Sequence, residues 1–416
     1  MVRVGTCTDI AWQLDAVAVV FLAVAAPPRR GRNRQAIFCQ VSRLRPHTAH
    51  KALVHRLVER QLRGGDRRTL KGHHNTNYVL RVGVLLALLL GVMPFARLKY
   101  RVPLDSIGVV PRIWPREADV LDIVCRYLRE VPRCVIDLGD RTLHRYRRGE
   151  ALSEMYPYEP LDDDTMRWFA EFFARTAHVP VAELLTLPEN WPEDGDSEGF
   201  LHWMIDFTEQ RVRRPNLERF GSLFQAVGVR EDAMAMFGKS HSSLTPRPFK
   251  LLHTDVHRAN VVVRGKRLSV IDWELAIFGD PLHDLATHLV RMGYEDPQQR
   301  DMTRLWAEAM ENSGHRALTA GLYDDLPVYV DFEYAQSVFP DIMRTALSLP
   351  ADADKEHFQQ AADRVRRAVY RASVPLGLVV PGAADIVEAL REWHSRSVTS
   401  QEQPEDGAPS RAYSPT

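Results

Sequence analysis

Between His253 and Leu285 the chain sets three carboxylates and an amide at intervals that leave few options for the fold around them. The run reads His253-Thr254-Asp255-Val256-His257-Arg258-Ala259-Asn260, then Ile271-Asp272-Trp273-Glu274, then Gly279-Asp280-Pro281-Leu282-His283-Asp284-Leu285. The apolar triplet Val261 to Val263, the polar turn Arg264-Gly265-Lys266-Arg267 and the run Leu268 to Ile271 predict a short hairpin. Such a hairpin carries Asn260 and Asp272 back to nearly the same point. Phosphoryl transfer asks a protein mainly to position groups and neutralise charge, with an aspartate for the hydroxyl proton and Asn and Asp side chains for Mg²⁺. Asp255, Asn260 and Asp272 suit those three tasks.

With its three linked elements in this order, the block resembles the catalytic segment of the aminoglycoside phosphotransferase and choline kinase family, small-molecule relatives of the protein kinases. The pattern is H-x-D-x-x-x-x-N, then I-D-W-E, then G-D-P-x-x-D-L-A. Two departures stand out: Thr254 where the family usually has glycine, and Arg258 where proline or glycine is common. His253 and Asp284 read as scaffold, because buried polar groups must be hydrogen-bonded and such residues tie a catalytic loop to the helix below. His257, His283 and His288 read as ordinary loop and helix histidines. A competing reading takes these histidines and carboxylates as a hydrolase's metal cluster.

The resemblance implies a nucleotide-binding lobe upstream, and residues outside the block match it. Leu70 to Leu80 reads as strand, turn, strand and resembles the family's loop over the ATP phosphates, with Gly72, His73, His74 and Asn75 approaching the anion. Phe95 to Arg101 alternates apolar and basic residues as a half-exposed strand does. The resemblance makes Lys99 the phosphate-pairing lysine, with Arg97 and Arg101 as alternatives. Trp114-Pro115-Arg116-Glu117 opens a helix on which Glu117 is its implied partner, in preference to Asp119. Cys134 to Tyr146 reads as a second hairpin leading to a hinge near Arg147 to Gly149, where Tyr146 and Arg148 border the nucleotide.

The implied architecture is α+β, a two-lobed protein-kinase-like fold. A small lobe over 46–148 carries an antiparallel sheet, and a larger, mostly helical lobe over 149–396 carries the catalytic block and acceptor pocket. The implied activity is ATP- and Mg²⁺-dependent transfer to a hydroxyl of a small polar molecule. A pseudoenzyme or regulator of the same fold is the alternative.

The charge balance of 54 basic to 54 acidic residues gives no bulk attraction to nucleic acid or membrane, and neither partner is expected. It conceals an asymmetry, since Arg29 to Lys71 holds 13 Lys and Arg against Glu59 and Asp66. We read residues 1–45 as a basic, disordered leader, in which about the first 30 include a mis-assigned start as one possibility, followed by an amphipathic helix from about Ala49 to Leu62; a nucleic-acid arm is the other reading. The apolar run Ala16 to Ala26 is too short to span a bilayer, and Asp9 and Asp15 stand where a secretion signal needs positive charge. The run Val82 to Met93 reads as a packed connection. Cys7, Cys39, Cys125 and Cys134 form no C-x-x-C pair, which favours a reducing cytoplasm. Residues 397–416 are poor in core-forming side chains and read as a disordered tail.

Helical periodicity is expected over Asp162 to Ala177, Phe200 to Phe224, Asp280 to Met292, Arg300 to Ser313, Val328 to Leu349 and Lys355 to Ser373. The acidic stretch around Trp191 suits a cationic acceptor by charge and cation–π contact, or else is a solvated loop. Glu333 and Asp341 are ambiguous carboxylates of a late helix.

Overall fold

The computed structural model describes residues 48–402 apart from 65–66, 72–74, 105–107 and 242. The expected leader over 1–45, the run Ala16 to Ala26, and Gly72, His73 and His74 lie outside the described residues. The chain forms two compact units, 1–106 with 133–146, and 107–132 with 147–416.

In the first unit, helix α1 (Thr48–Arg63) realises the predicted amphipathic pattern, burying Val54, Val58 and Leu62. A five-stranded antiparallel sheet has the order β1 (Arg67–Lys71), β2 (Asn75–Arg81), β3 (Arg97–Pro103), β5 (Thr142–Arg145), β4 (Cys134–Asp137). The alternation read in Phe95 to Arg101 appears as β3, with Leu98 and Tyr100 buried among Val54, Val58, Leu80, Ile136 and Leu143. Burying these side chains contributes roughly 1.5–3 kcal/mol each. Arg141 donates to Glu59 at 2.7 Å and to the Tyr100 hydroxyl at 3.2 Å, tying α1 to the sheet. The run Val82 to Met93 forms α2 (Val84–Leu89), which buries Leu86 and Ala87.

The second unit opens with α3 (Glu117–Tyr127). Its N-cap is Arg116, so Pro115 precedes the helix and does not occupy its first turn. The chain then runs through β6 (Glu150–Ala151), α4 (Leu152–Met155), α5 (Asp163–Ala177), α6 (Ser197–Phe207), α7 (Leu217–Ala226) and α8 (Ala233–Ser240). The helix expected over Phe200 to Phe224 is broken by a π turn at Thr208–Arg213 and a 3₁₀ turn carrying Pro215, whose ring cannot continue the ladder.

Strand β7 (Lys250–Leu252) leads into the block from His253 to Leu285, whose hairpin is β8 (Val261–Arg264) and β9 (Arg267–Val270), turning at Gly265 with φ 59°. Strand β6 pairs with β8, and the approach is so close that a Cβ on Gly149 would sit 2.2 Å from the Val263 carbonyl oxygen. After β10 (Ile277–Gly279), helices α9 (Pro281–Met292), α10 (Asp296–Asn312), α11 (Leu322–Leu347), α12 (Lys355–Leu376) and α13 (Ala383–Glu402) complete the unit. Helix α13 runs past Ser397, where composition places the start of the tail, because Ile386, Leu390 and Trp393 give it a buried face. Arg247, fully buried, holds the packing below the block together. It bonds Asp280 at 2.7, 3.0 and 3.1 Å and Asp325 at 2.5 Å, and Tyr329 donates to Asp280 at 2.9 Å. Among the described residues no helix is long and apolar enough to cross a membrane.

Candidate active site

The hairpin closes as the spacing predicts. Val261 faces Val270, and the Ile271 amide donates to the Asn260 carbonyl at 2.9 Å, one residue before Asp272. Asp272 takes a φ of 71°, the left-handed region that non-glycine residues enter only under local constraint.

Asn260 donates from its side-chain nitrogen to the Asp255 backbone carbonyl at 3.0 Å and to Asp255 Oδ2 at 2.8 Å. Both amide protons are thereby spent on Asp255, and the carbonyl oxygen is the atom with which an amide ligates a hard cation. Asp255 Oδ1 accepts from Arg291 and has His257 Nε2 at 3.5 Å. Burial opposes ionisation of Asp255, but His257 and the charge of Arg291 outweigh it, and its carboxyl lies below the usual carboxylate range.

The scaffold residues do what the sequence assigns them. Asp284 accepts from the amides of His253 at 3.0 Å and Thr254 at 2.8 Å, bolting the loop to α9. Complete burial, working against those two bonds, pushes its carboxyl up to about 7. His253 Nδ1 accepts from the Asp255 amide at 3.2 Å, which puts the ring proton on Nε2, 3.2 Å from the Ile271 carbonyl. One neutral imidazole thus bridges the loop of Asp255 and the strand of Asp272, and burial holds its pKa below the ordinary histidine value. His288 is engaged at both nitrogens, by Val256 O at 2.8 Å and Tyr294 Oη at 3.1 Å. With both nitrogens of His253 and His288 occupied, these rings are not available to a hydrolase's metal cluster. Among the described residues no group of three His, Cys, Asp or Glu could hold a metal ion.

Both departures from the family pattern have a physical account. Thr254 has φ 59°, a conformation that glycine adopts without strain and a β-branched residue rarely does. Its hydroxyl donates to Leu275 O at 2.7 Å and its amide is held by Asp284, so the strained turn is bonded from both sides. Arg258, nearly buried, caps three carbonyls: Tyr156 at 2.5 Å, Glu159 at 2.9 Å and Met292 at 3.3 Å.

Glu117 lies in the same unit and its Oε1 accepts from the Trp273 amide at 2.9 Å, immediately after Asp272. Asp119 is taken by Arg116 at 2.6 Å. Arg112 pairs with Glu274 at 2.5 Å. In the first unit, Lys99 is half-buried in β3 between Val79 and His144, Asn75 is buried at the start of β2, and the Tyr146 amide donates to Arg97 O at 3.3 Å. Arg148, in the second unit, is exposed.

In the acidic stretch around Trp191 the carboxylates of Glu189, Glu193, Asp194 and Asp196 are exposed, as a solvated loop's are, while the indole turns inward. Trp191 is buried against Phe200 and Trp203 and donates to Phe278 O at 2.8 Å. Asp194 accepts from the Phe249 amide at 2.6 Å, and Asp196 caps α6. Glu333 is not a helix-surface carboxylate: it is buried, accepting from Thr287 at 2.9 Å and Gln336 at 2.7 Å. Arg291 and Arg247 went unread in the sequence. Each lies outside the motif elements, and an arginine at helical spacing carries no signal of its own.

Comparison with known proteins identifies the family. The family model of the phosphotransferase enzyme family matches residues 70–319, which include every element from the candidate phosphate loop to the block. Among solved structures, a choline/ethanolamine kinase family protein from Mesorhizobium loti is similar at 16% identity and a TM-score of 0.44, covering 79% of this chain and 93% of that one. An ethanolamine kinase from Plasmodium vivax is similar at 11% identity and a TM-score of 0.48, covering 82% and 95%. A thermostable mutant of an aminoglycoside phosphotransferase, in ternary complex with ADP and hygromycin B, is similar at 14% identity and a TM-score of 0.44, covering 79% and 98%. The substrates named belong to those proteins. No curated protein matches the sequence. With the family model spanning more than half its length, the chain belongs to the phosphotransferase enzyme family.

Proposed function

We propose that this protein transfers the γ-phosphoryl group of ATP to a hydroxyl of a small polar molecule, with Mg²⁺ as cofactor and in the cytoplasm. The observation that carries the reading is the Asn260 side chain clasping Asp255 at the foot of the hairpin that ends in Asp272. An amide oxygen and a carboxylate are hard oxygen donors of the kind Mg²⁺ prefers, and Asn260 and Asp272 would hold it. When bound, it would neutralise charge on the phosphates.

The remaining work belongs to the chain. Asp255, ionised and oriented by Asn260, takes or orients the proton of the acceptor hydroxyl as that oxygen bonds the γ-phosphorus. The bond from phosphorus to the β,γ-bridging oxygen breaks and ADP leaves with the electron pair. His253 and Asp284 keep the Asp255 loop in place. Glu117 holds the backbone beside Asp272 through the Trp273 amide. Lys99 is the proposed phosphate-pairing cation, Asn75 with Gly72, His73 and His74 the proposed phosphate loop, and Tyr146 and Arg148 the proposed adenine border.

The test is ADP release by the full chain with Mg-ATP over a panel of hydroxylated amines, sugars and acids. Acceptor-dependent ADP and a phosphorylated product support the reading. Mg-ATP binding without acceptor-dependent ADP from any of them favours a pseudoenzyme instead.

A further inference from the structure

Helices α9 and α11 pack with polar faces toward each other. His283, Thr287 and Arg291 recur at four-residue intervals on α9, and Glu333, Gln336 and Asp341 follow one another on α11, with Arg344 one turn beyond Asp341. At the inner end Glu333 is satisfied by Thr287 and Gln336, with His283 Nδ1 at 3.6 Å. At the outer end the stripe reaches Asp255 through the Arg291 ion pair.

That outer end gathers three cations, Arg291, Arg344 and Arg371, around Asp255 and Asp341. Arg291 keeps about a third of its side chain accessible, at 32%, while paired with Asp255. Arg344 and Arg371, from α11 and α12, are exposed, and both lie within electrostatic reach of Asp341. Asp255, Asp341 and Glu333 match these three guanidinium groups in charge, but Glu333 is buried and turned to Thr287 and Gln336, so the accessible end of the stripe presents Arg291 and Arg344.

The arrangement poses a problem for Asp255. A guanidinium on Oδ1 lowers its basicity and occupies the side opposite Asn260. An acceptor that brought only a hydroxyl, or a hydroxyl and an ammonium, would leave Arg291 paired with Asp255. We infer that the acceptor carries, beside its hydroxyl, a carboxylate or phosphate that Arg291 and Arg344 receive, drawing Arg291 from Asp255 as the hydroxyl arrives. This rests on the phosphotransferase reading and names the substrate class of that site. It departs from the cationic acceptor suggested by the stretch around Trp191, whose ring is packed against Phe200 and Trp203.

Matched acceptors on one carbon skeleton test it with the full chain and Mg-ATP: glycerol, glycerate, glycerol 3-phosphate and serinol, and in parallel glucose, gluconate, glucose 6-phosphate and glucosamine. In at least one series an acid should exceed its neutral and amine counterparts in kcat/KM by about tenfold or more, the reach of a charge-assisted hydrogen bond. Whether the carboxylate or the phosphate member leads identifies the anion. Arg291→Gln should bring that ratio to within about threefold, chiefly through KM for the acid, while Arg291→Lys keeps the order of preference and so separates loss of charge from loss of folding. Preference for the amine or neutral member, an acid preference untouched by Arg291→Gln, or Mg-ATP binding with no acid bound or turned over, overturns the inference. Loss of Mg-ATP binding by the wild-type chain overturns the parent reading instead.

Discussion

Asn260 gives both protons of its side-chain amide to Asp255, one to the backbone carbonyl at 3.0 Å and one to Oδ2 at 2.8 Å. The amide therefore orients the proposed base with one end and offers a cation its oxygen with the other. Asn260→Ala removes both functions, and kcat should fall by about 10²-fold or more. Asn260→Asp keeps oxygen donors but sets a carboxylate against Asp255, so it should restore little turnover even where Mg-ATP binding survives. Steady-state ADP release together with calorimetric Mg-ATP titration checks both variants.

Glu117 holds the Trp273 amide at 2.9 Å, a bond to a charged acceptor. Glu117→Ala orphans a buried N–H and should cost about 1–3 kcal/mol, with weaker Mg-ATP binding because the backbone beside Asp272 loosens. Glu117→Gln retains an acceptor oxygen and should lie closer to wild type in denaturant unfolding. Equal destabilisation by the two variants would show that the amide contact is not what matters.

Thr254 tests whether a strained turn is held by its side chain. Both Thr254→Ala and Thr254→Gly lose the 2.7 Å bond to Leu275 O, but only glycine also relieves the left-handed φ of 59°. Thr254→Gly should therefore be more stable than Thr254→Ala by about 1 kcal/mol in urea unfolding. The reverse order would mean the turn relaxes without strain.

Arg247 is fully buried between Asp280 and Asp325, whereas Arg230 and Asp232 pair on the surface at 2.8 Å. Arg247→Met leaves two buried carboxylates unpaired and should destabilise by about 3–5 kcal/mol. Arg230→Met should leave stability close to that of the wild type, because an exposed pair is screened by solvent. Thermal and denaturant melts of the two variants compare these costs directly.

The proposed chemistry was legible because it is local. Asp255, Asn260 and Asp272 lie within one hairpin's length, and the polar turn around Gly265 announces where the chain reverses. The amphipathic helix before the sheet was legible for the same reason: Val54, Val58 and Leu62 recur at helical spacing. Long-range partners were not. Arg247 meets Asp280 and Asp325 from 33 and 78 residues away, and Arg291 meets Asp255 from 36, with no periodicity to link them. Trp191 was ambiguous because an acidic, tryptophan-bearing loop looks the same in sequence whether its indole faces a ligand or a phenylalanine. The block also shows that a family departure need not be a loss. Thr254 occupies a glycine's backbone conformation, and its own hydroxyl supplies a restraint there.

The central claim is that Asp255 serves the acceptor hydroxyl while Asp272 serves the metal-bound nucleotide. Acceptor-dependent ADP release and Mg-ATP binding, measured side by side for Asp255→Ala and Asp272→Ala, test it most directly. Asp255→Ala should abolish transfer and leave Mg-ATP affinity within about threefold of wild type, whereas Asp272→Ala should lose transfer and weaken Mg-ATP by about tenfold or more. Wild-type-like turnover by Asp255→Ala would contradict the account.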